Sequence, residues 1–262
     1  MRRVLGLVAW VVWQAEVVAG SDTWSGVGRW QTPTGNSTVE FLRDGNFVMY
    51  GTEAELVKTN GSARTEQDQK VMRAGSYQVV SNELMHAAWA NCGMPYAHWQ
   101  TWKWQLFDLD NLLTLIMGET TTVWVRAELP VPDAHRSLIG LWRRLNGAAQ
   151  APDYLGMMFT PGGFSVHLGR LCAAAVANKQ TIFAPCCMTR YEVVADGTLR
   201  EIELDGDSPQ ERFRKFFVRH NRLGLDLDTE RVLLFERVRG QLPFHLYEFD
   251  VRRWQSLPSI SP

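Results

Sequence analysis

The tripeptide Gly28-Arg29-Trp30 decides the fold, because it returns in the second half of the chain as Gly140-Leu141-Trp142. Similar features follow both copies in the same order: a turn flanked by aromatic residues, a tyrosine, and an alternating apolar segment that closes with an arginine. These features are Phe41 to Phe47, Tyr77 and Arg126 after the first copy, and Phe159 to Phe164, Tyr191 and Arg237 after the second. We interpret the repeat as one β-rich unit that is present twice.

Alternating apolar residues between turn residues predict about eight short strands in the first unit and a similar set in the second. Asp44-Gly45 and Asp196-Gly197 are strong hairpin signals, since a glycine there accepts the positive φ of a tight turn. Consecutive antiparallel strands bury their edges best by closing into a barrel. The sequence therefore predicts an all-β chain with two tandem antiparallel up-and-down barrels.

The two units meet at Pro130-Val131-Pro132-Asp133, where two prolines and a charge mark a boundary. The expected organisation is a signal peptide, a barrel, a linker, a second barrel and a C-terminal tail, at residues 1–20, 21–129, 130–137, 138–240 and 241–262.

One segment of the second unit gives two conflicting signals. Ser208-Pro209-Gln210-Glu211 has the residues of a helix start, whereas the repeat requires a strand at this place. We expect a helical turn before Phe216 and a strand from Phe216 onward. We also expect Phe213, Phe216 and Phe217 to lie in the core.

The N-terminus predicts export. Arg2 and Arg3 precede an apolar run over residues 4–13, and small residues precede Ser21, so cleavage after Gly20 is expected. The alternative is an ordinary apolar helix. No later apolar stretch approaches the roughly 18 residues of a membrane span, so we expect no transmembrane segment in the mature protein.

Export favours pairing of the four cysteines outside the cytosol. Cys172 with Cys186 or Cys187 would close a short loop, and Cys92 could take the remaining thiol. The alternative is buried thiols that do not pair.

The composition and motifs exclude several functions. The net charge of −1 gives no reason to expect a nucleic-acid partner. The chain has no nucleophile elbow, P-loop, dinucleotide fingerprint or zinc-protease motif, so we assign no catalytic residue and no cofactor. His86, Cys92 and His98 are spaced too widely for the usual metal sites, and no metal is predicted.

The Gly-x-Trp of the first strand, the Phe-x-x-Asp-Gly-x-Phe hairpin and the Gly-x-Tyr strand resemble the lipocalin-like (calycin) barrels. Two such units in one chain also resemble the two-barrel lipocalin-like proteins. The resemblance implies that Trp30 and Trp142 close one end of their barrels, and that Arg126 and Arg237 correspond to the late arginine of that family.

A cluster of aromatic residues in the first unit is the candidate ligand site. Indoles supply flat apolar walls and N–H donors, which is the mixture that a small-molecule pocket uses. The candidate residues are Trp89, Tyr96, His98, Trp99, Trp102 and Trp104. The alternative is that these side chains only fill the barrel.

Three functions follow from these patterns. The first is an exported, non-enzymatic protein that binds a small apolar ligand in the first barrel. The second is an interaction or assembly protein with filled barrels and a protein partner. The third is an enzyme whose site carries no recognisable motif.

Overall fold

The structure is a computed structural model, and it describes residues 24–52, 70–92, 97–127, 131–145, 154–170, 183–195, 197–204, 210–228, 231–244 and 249–261. The signal-peptide prediction, residues 1–20, therefore lies outside the described residues. The strands of the first unit are β1 (Gly28–Gln31), β2 (Thr38–Phe41), β3 (Asn46–Thr52), β4 (Lys70–Val79), β5 (Leu84–Asn91), β6 (Ala97–Phe107), β7 (Leu112–Met117) and β8 (Thr120–Arg126).

The second unit has the same number of described strands. They are β9 (Gly140–Arg144), β10 (Tyr154–Phe159), β11 (Phe164–Arg170), β12 (Phe183–Ala195), β13 (Thr198–Glu203), β14 (Glu211–Arg219), β15 (Arg222–Asp228) and β16 (Arg231–Val238). Two short helices follow the two units, α1 (Asp133–Arg136) and α2 (Val251–Ser256). Neither described helix has the length and hydropathy that a membrane span requires.

Each unit is a closed antiparallel barrel in which strands that follow one another in the chain are neighbours. The first barrel closes where Trp30 of β1 pairs with Arg126 of β8. The second closes where Trp142 of β9 pairs with Arg237 of β16. The predicted fold class, two tandem up-and-down barrels, is confirmed.

The repeated tryptophans close one end of each barrel. Trp30 and Trp142 are fully buried, and each indole N–H donates to the carbonyl four residues earlier, at 2.8 and 2.6 Å. The guanidinium of Arg126 lies 4.3 Å from the centre of the Trp30 ring, and that of Arg237 lies 4.5 Å from the Trp142 ring. A cation over an indole face is attracted by the negative charge of the ring face. We call this the closed end of each barrel and the opposite end its open end.

Apolar side chains form three clusters: one inside each barrel and one between the barrels. The cluster between the barrels joins the outer faces of β3, β4, β10 and β11 with the C-terminal segment. Its largest members are Met72, Met158, Phe164, Phe249 and Trp254. Burial of this cluster holds the two barrels together.

The segment expected to be a tail packs against both barrels. In the first barrel, Asn46 donates to the carbonyl of Gly240 at 3.0 Å and accepts from the backbone N–H of Leu242 at 2.6 Å. In the second barrel, Arg143 donates to the carbonyls of Gln255 and Leu257 at 2.6 and 2.8 Å. The described part of the segment, through residue 261, is thus an integral element of the fold.

The expectation of a helical turn before Phe216 is wrong within the described residues, because β14 is already a strand at Glu211. Backbone pairing with β13 on one side and β15 on the other outweighs the local helix signal. The strand alternation also corrects the predicted core. Phe216 packs against the barrel core, whereas Phe213 and Phe217 point outward and are 63% and 45% exposed.

Candidate functional site

The aromatic cluster predicted in the first barrel is divided by the alternation of β6. Trp102 and Trp104 point into the barrel and are buried, whereas Trp99 points outward and is 55% exposed. Tyr96 lies outside the described residues. The predicted residues therefore include side chains on both the inner and the outer face of the barrel wall.

Three of the predicted residues meet inside the first barrel. The ring of Trp89 stacks on His98 with a centroid distance of 5.5 Å and lies 5.3 Å from Trp102. Burial and the nearby charge of Arg73 lower the pKa of His98 below its ordinary value. Trp104 lies closer to the closed end, 5.5 Å from the ring of Trp24. Aromatic rings thus occupy much of this interior.

A chain of four polar side chains, which was not predicted from the sequence, crosses the interior of the second barrel. The hydroxyl of Tyr154 lies 2.6 Å from Nδ1 of His167, and Nε2 of His167 lies 3.1 Å from Oε1 of Glu201. Nε of Arg214 lies 2.8 Å from Oε2 of Glu201. Because an ionised carboxylate only accepts hydrogen bonds, Nε2 of His167 carries the donated proton. In the neutral imidazole, Nδ1 is then the acceptor for the Tyr154 hydroxyl.

Strand alternation brings these four residues to one interior, although they lie on four different strands. On β11, Phe164 and Val166 face the cluster between the barrels, so His167 faces inward. Register pairs Leu199 of β13 with Arg214 of β14, and Glu201 lies two residues further along the same face. The period-two spacing of Arg212 and Arg214 on one strand was the available signal in the sequence.

The buried charges of this chain stabilise one another. Glu201 is 2% exposed, and burial alone would raise its pKa. The charge of His167 in its protonated form, the hydrogen bond from His167, and the charges of Arg214 and Arg212 outweigh burial, so the pKa of Glu201 lies below its ordinary value. The carboxylate is therefore an anion at neutral pH, and the side chain of Arg214 is only 13% exposed beside it.

These side chains border a cavity of about 250 Å³ toward the open end of the second barrel. The hydroxyls of Thr189 and Ser165 form a 2.5 Å hydrogen bond in the same interior. Glu203 and Arg212, 3.2 Å apart, form a second ion pair closer to the opening. The polar residues of the lining include Tyr154, His167, Thr189, Glu201, Arg212 and Arg214.

The outer face of the second barrel carries exposed apolar side chains on β14 and β16. Phe217 covers Gly224 on β15, and Leu234 of β16 lies opposite Gly224 on the other side. Phe217 and Leu234 are each 45% exposed, and Phe213 and Val232 lie on the same strands. The hypothesis of a protein partner depends on this surface.

The remaining predicted polar residues are dispersed. His86 lies on the outer face of the first barrel, where it contacts Thr101 at 3.0 Å, whereas His98 faces the interior. The described parts of the chain contain no disulfide bond. Cys172 and the side chain of Cys186 lie outside the described residues, so the bond expected between Cys172 and Cys186 or Cys187 stays a prediction.

Comparisons of the chain with models of protein families, with curated proteins and with solved structures found no match.

Proposed function

We propose that this protein is an exported, lipocalin-like, non-enzymatic binding protein that holds a small polar molecule in the open end of its second barrel. The observation that carries the proposal is the contact chain Tyr154–His167–Glu201–Arg214, because it borders a cavity inside a barrel. Barrel mouths are a usual place for small-molecule sites, and a few convergent polar groups fix the orientation of the ligand.

The cost of burying these groups supports a binding role. A barrel filled with apolar side chains would be at least as stable as one that buries an ion pair such as Glu201 and Arg214. Arg214 contacts Glu201 through its Nε atom, 2.8 Å from Oε2. A guanidinium can donate two parallel bonds to one anionic or polar group, so Arg214 is suited to a ligand that enters from the open end.

The first barrel remains the alternative location, for the apolar ligand that the sequence predicts. The stack of Trp89 on His98 beside Trp102 favours it. The full burial of Trp102 favours the opposite interpretation, in which the ring is core. Trp102→Ala separates the two. A pocket role predicts weaker binding of an apolar probe with little loss of stability, and a core role predicts a loss of ~3–5 kcal/mol.

Native mass spectrometry of the protein purified from its source tests the binding role. We expect a non-covalent adduct of small mass that disappears under denaturing conditions. A protein that shows only the mass of the chain, and that no member of a library of small polar molecules stabilises against heat, would contradict the proposal.

The same contacts favour one second function, acid–base catalysis. Glu201 orients His167, and Nδ1 of His167 lies 2.6 Å from the Tyr154 hydroxyl. A base in this position can accept the proton of that hydroxyl. An enzyme would release the bound molecule in altered form, and Tyr154→Phe would stop that change while leaving binding intact. A binding protein returns the molecule unchanged.

A further inference from the structure

The closed ends of the two barrels enclose a cleft of about 830 Å³ that belongs to neither barrel interior. Sites for small molecules occur preferentially at domain interfaces and have volumes of ~300–1,000 Å³. Most of the lining is apolar, and its apolar residues include Val27, Leu42, Ala127, Val131, Ile139 and Pro161.

The repeated glycines form smooth parts of this cleft. Gly28 and Gly140, the glycines of both Gly-x-Trp copies, line it with φ angles of 132° and 130°. Residues with a side chain rarely adopt such angles, so the backbone itself faces the cleft at both places. The two halves of the repeat thus contribute equivalent surfaces to one cavity.

A contact between the barrels fixes one wall of the cleft. Arg29 of the first barrel donates to the carbonyl of Gly162 at 3.2 Å, and the N–H of Gly162 donates to Oε1 of Glu40 at 2.7 Å. Both polar groups of one glycine are therefore held by side chains of the other barrel. This wall is formed before any ligand binds.

The charges of the lining are asymmetric. Arg29, Arg43 and Arg126 line the cleft with Glu40 and Asp44, so the lining carries an excess of positive charge. Burial raises the pKa of Glu40, although the Thr160 hydroxyl, the Gly162 amide and Arg29 act in the opposite direction. Any protonation of Glu40 adds to the positive excess.

Arg43 is the arginine of the cleft that is available to a ligand. Arg126 already donates to the carbonyls of Asp110, Val27 and Ser25, and Arg29 donates to Gly162. The side chain of Arg43, by contrast, has neither a hydrogen bond nor an ion pair within the parts of the chain that the structure describes.

We propose that this cleft is a second binding site, for an amphiphilic small molecule whose apolar body lies between Leu42, Val131 and Ile139 and whose anionic head binds Arg43. A guanidinium pairs with carboxylate, sulfonate or phosphate oxygens through charge-assisted hydrogen bonds. The site is independent of the one in the second barrel.

Two fluorescent probes that differ in the anionic head test the proposal. The first is 1-anilinonaphthalene-8-sulfonate, and the second is N-phenyl-1-naphthylamine, which lacks the sulfonate. We expect one saturable site for each on the full-length protein. Arg43→Gln should weaken the sulfonate probe about tenfold and leave the neutral probe unchanged, since one charge-assisted contact is lost. Arg219→Gln, an exposed arginine outside the cleft, is the control.

Filling the cleft tests its location. Ile139→Trp should remove saturable binding of both probes, whereas Val194→Trp, on the outer face of the second barrel, and Thr189→Trp, inside it, should not. Circular dichroism checks the folding of each variant, and Val131→Trp replaces Ile139→Trp if the latter is unfolded. Unchanged binding in the folded variant with a filled cleft overturns the proposal, as does an equal loss of both probes in Arg43→Gln.

Discussion

At the scale of single residues, the two closing tryptophans show how one local solution serves both barrels. Trp30 and Trp142 have the same three partners: a packed interior, a carbonyl acceptor and an arginine over the ring. The sequence predicted this role through the resemblance of the motif. The arginines could be assigned because each ends an alternating segment that returns to the first strand.

Trp142→Ala should therefore destabilise the protein by ~3–5 kcal/mol, because it removes a fully buried indole and leaves a cavity. Trp99→Ala is the matched control, since Trp99 is 55% exposed and its loss should cost below about 1 kcal/mol. Urea unfolding followed by circular dichroism measures both. Equal losses for the two variants would mean that the closing role of Trp142 is wrong.

The pH dependence of stability depends in part on Glu201. Its folded-state pKa lies below the ordinary value of 4.5, so its contribution to stability is complete above that pH and is lost as the pH falls. The contribution of Glu40 to the pH dependence has the opposite sign, because its folded-state pKa is raised and its protonation favours the folded state. Glu201→Gln should make the free energy of unfolding less dependent on pH below about 4.5. The free energy of unfolding is measured by urea titration at several pH values in this range. An unchanged dependence on pH in the variant would contradict an ionised Glu201 in the folded state.

At the scale of elements, strand pairing determines both the secondary structure of ambiguous segments and which side chains meet inside a barrel. Residues 208–211 have the pattern of a helix start, yet β14 runs from Glu211 to Arg219. The polar chain was missed for a related reason. Tyr154, His167, Glu201 and Arg214 come from β10, β11, β13 and β14, and only the register of a closed barrel brings them together. Alternation within one strand gives the face of a residue but not its neighbours across the interior.

Removal of residues 241–262 should lower the midpoint of thermal unfolding and expose the apolar cluster between the barrels. Trp254 and Phe249 are buried in that cluster, and Asn46 would lose its contact with Leu242. Differential scanning calorimetry measures the midpoint. Arg252→Ala, an exposed change in the same segment, should leave it unchanged. A truncated protein with the midpoint of the full chain would show that the segment does not stabilise the fold.

At the scale of the whole molecule, the repeat produced two equal barrels with unequal interiors. The first is packed with aromatic rings, and the second combines an apolar closed end with ionised groups toward its open end. The motifs of the repeat form the closure of each barrel, so this closure could be predicted from the sequence. The inner residues toward the open ends are not repeated, since Met49 and Gly75 of the first barrel occupy the positions of His167 and Thr189 in the second. The function we propose depends on that difference.

The most direct test of this difference is to block the interior of the second barrel and measure the small-molecule adduct by native mass spectrometry. Thr189→Trp places an indole in the cavity of the second barrel, and Val194→Trp places the same residue on the outer face of the same strand. We predict that Thr189→Trp loses the adduct, whereas Val194→Trp and Trp102→Phe, a conservative change in the first barrel, keep it. A folded Thr189→Trp protein that retains the adduct at the wild-type level would contradict a ligand site in the second barrel.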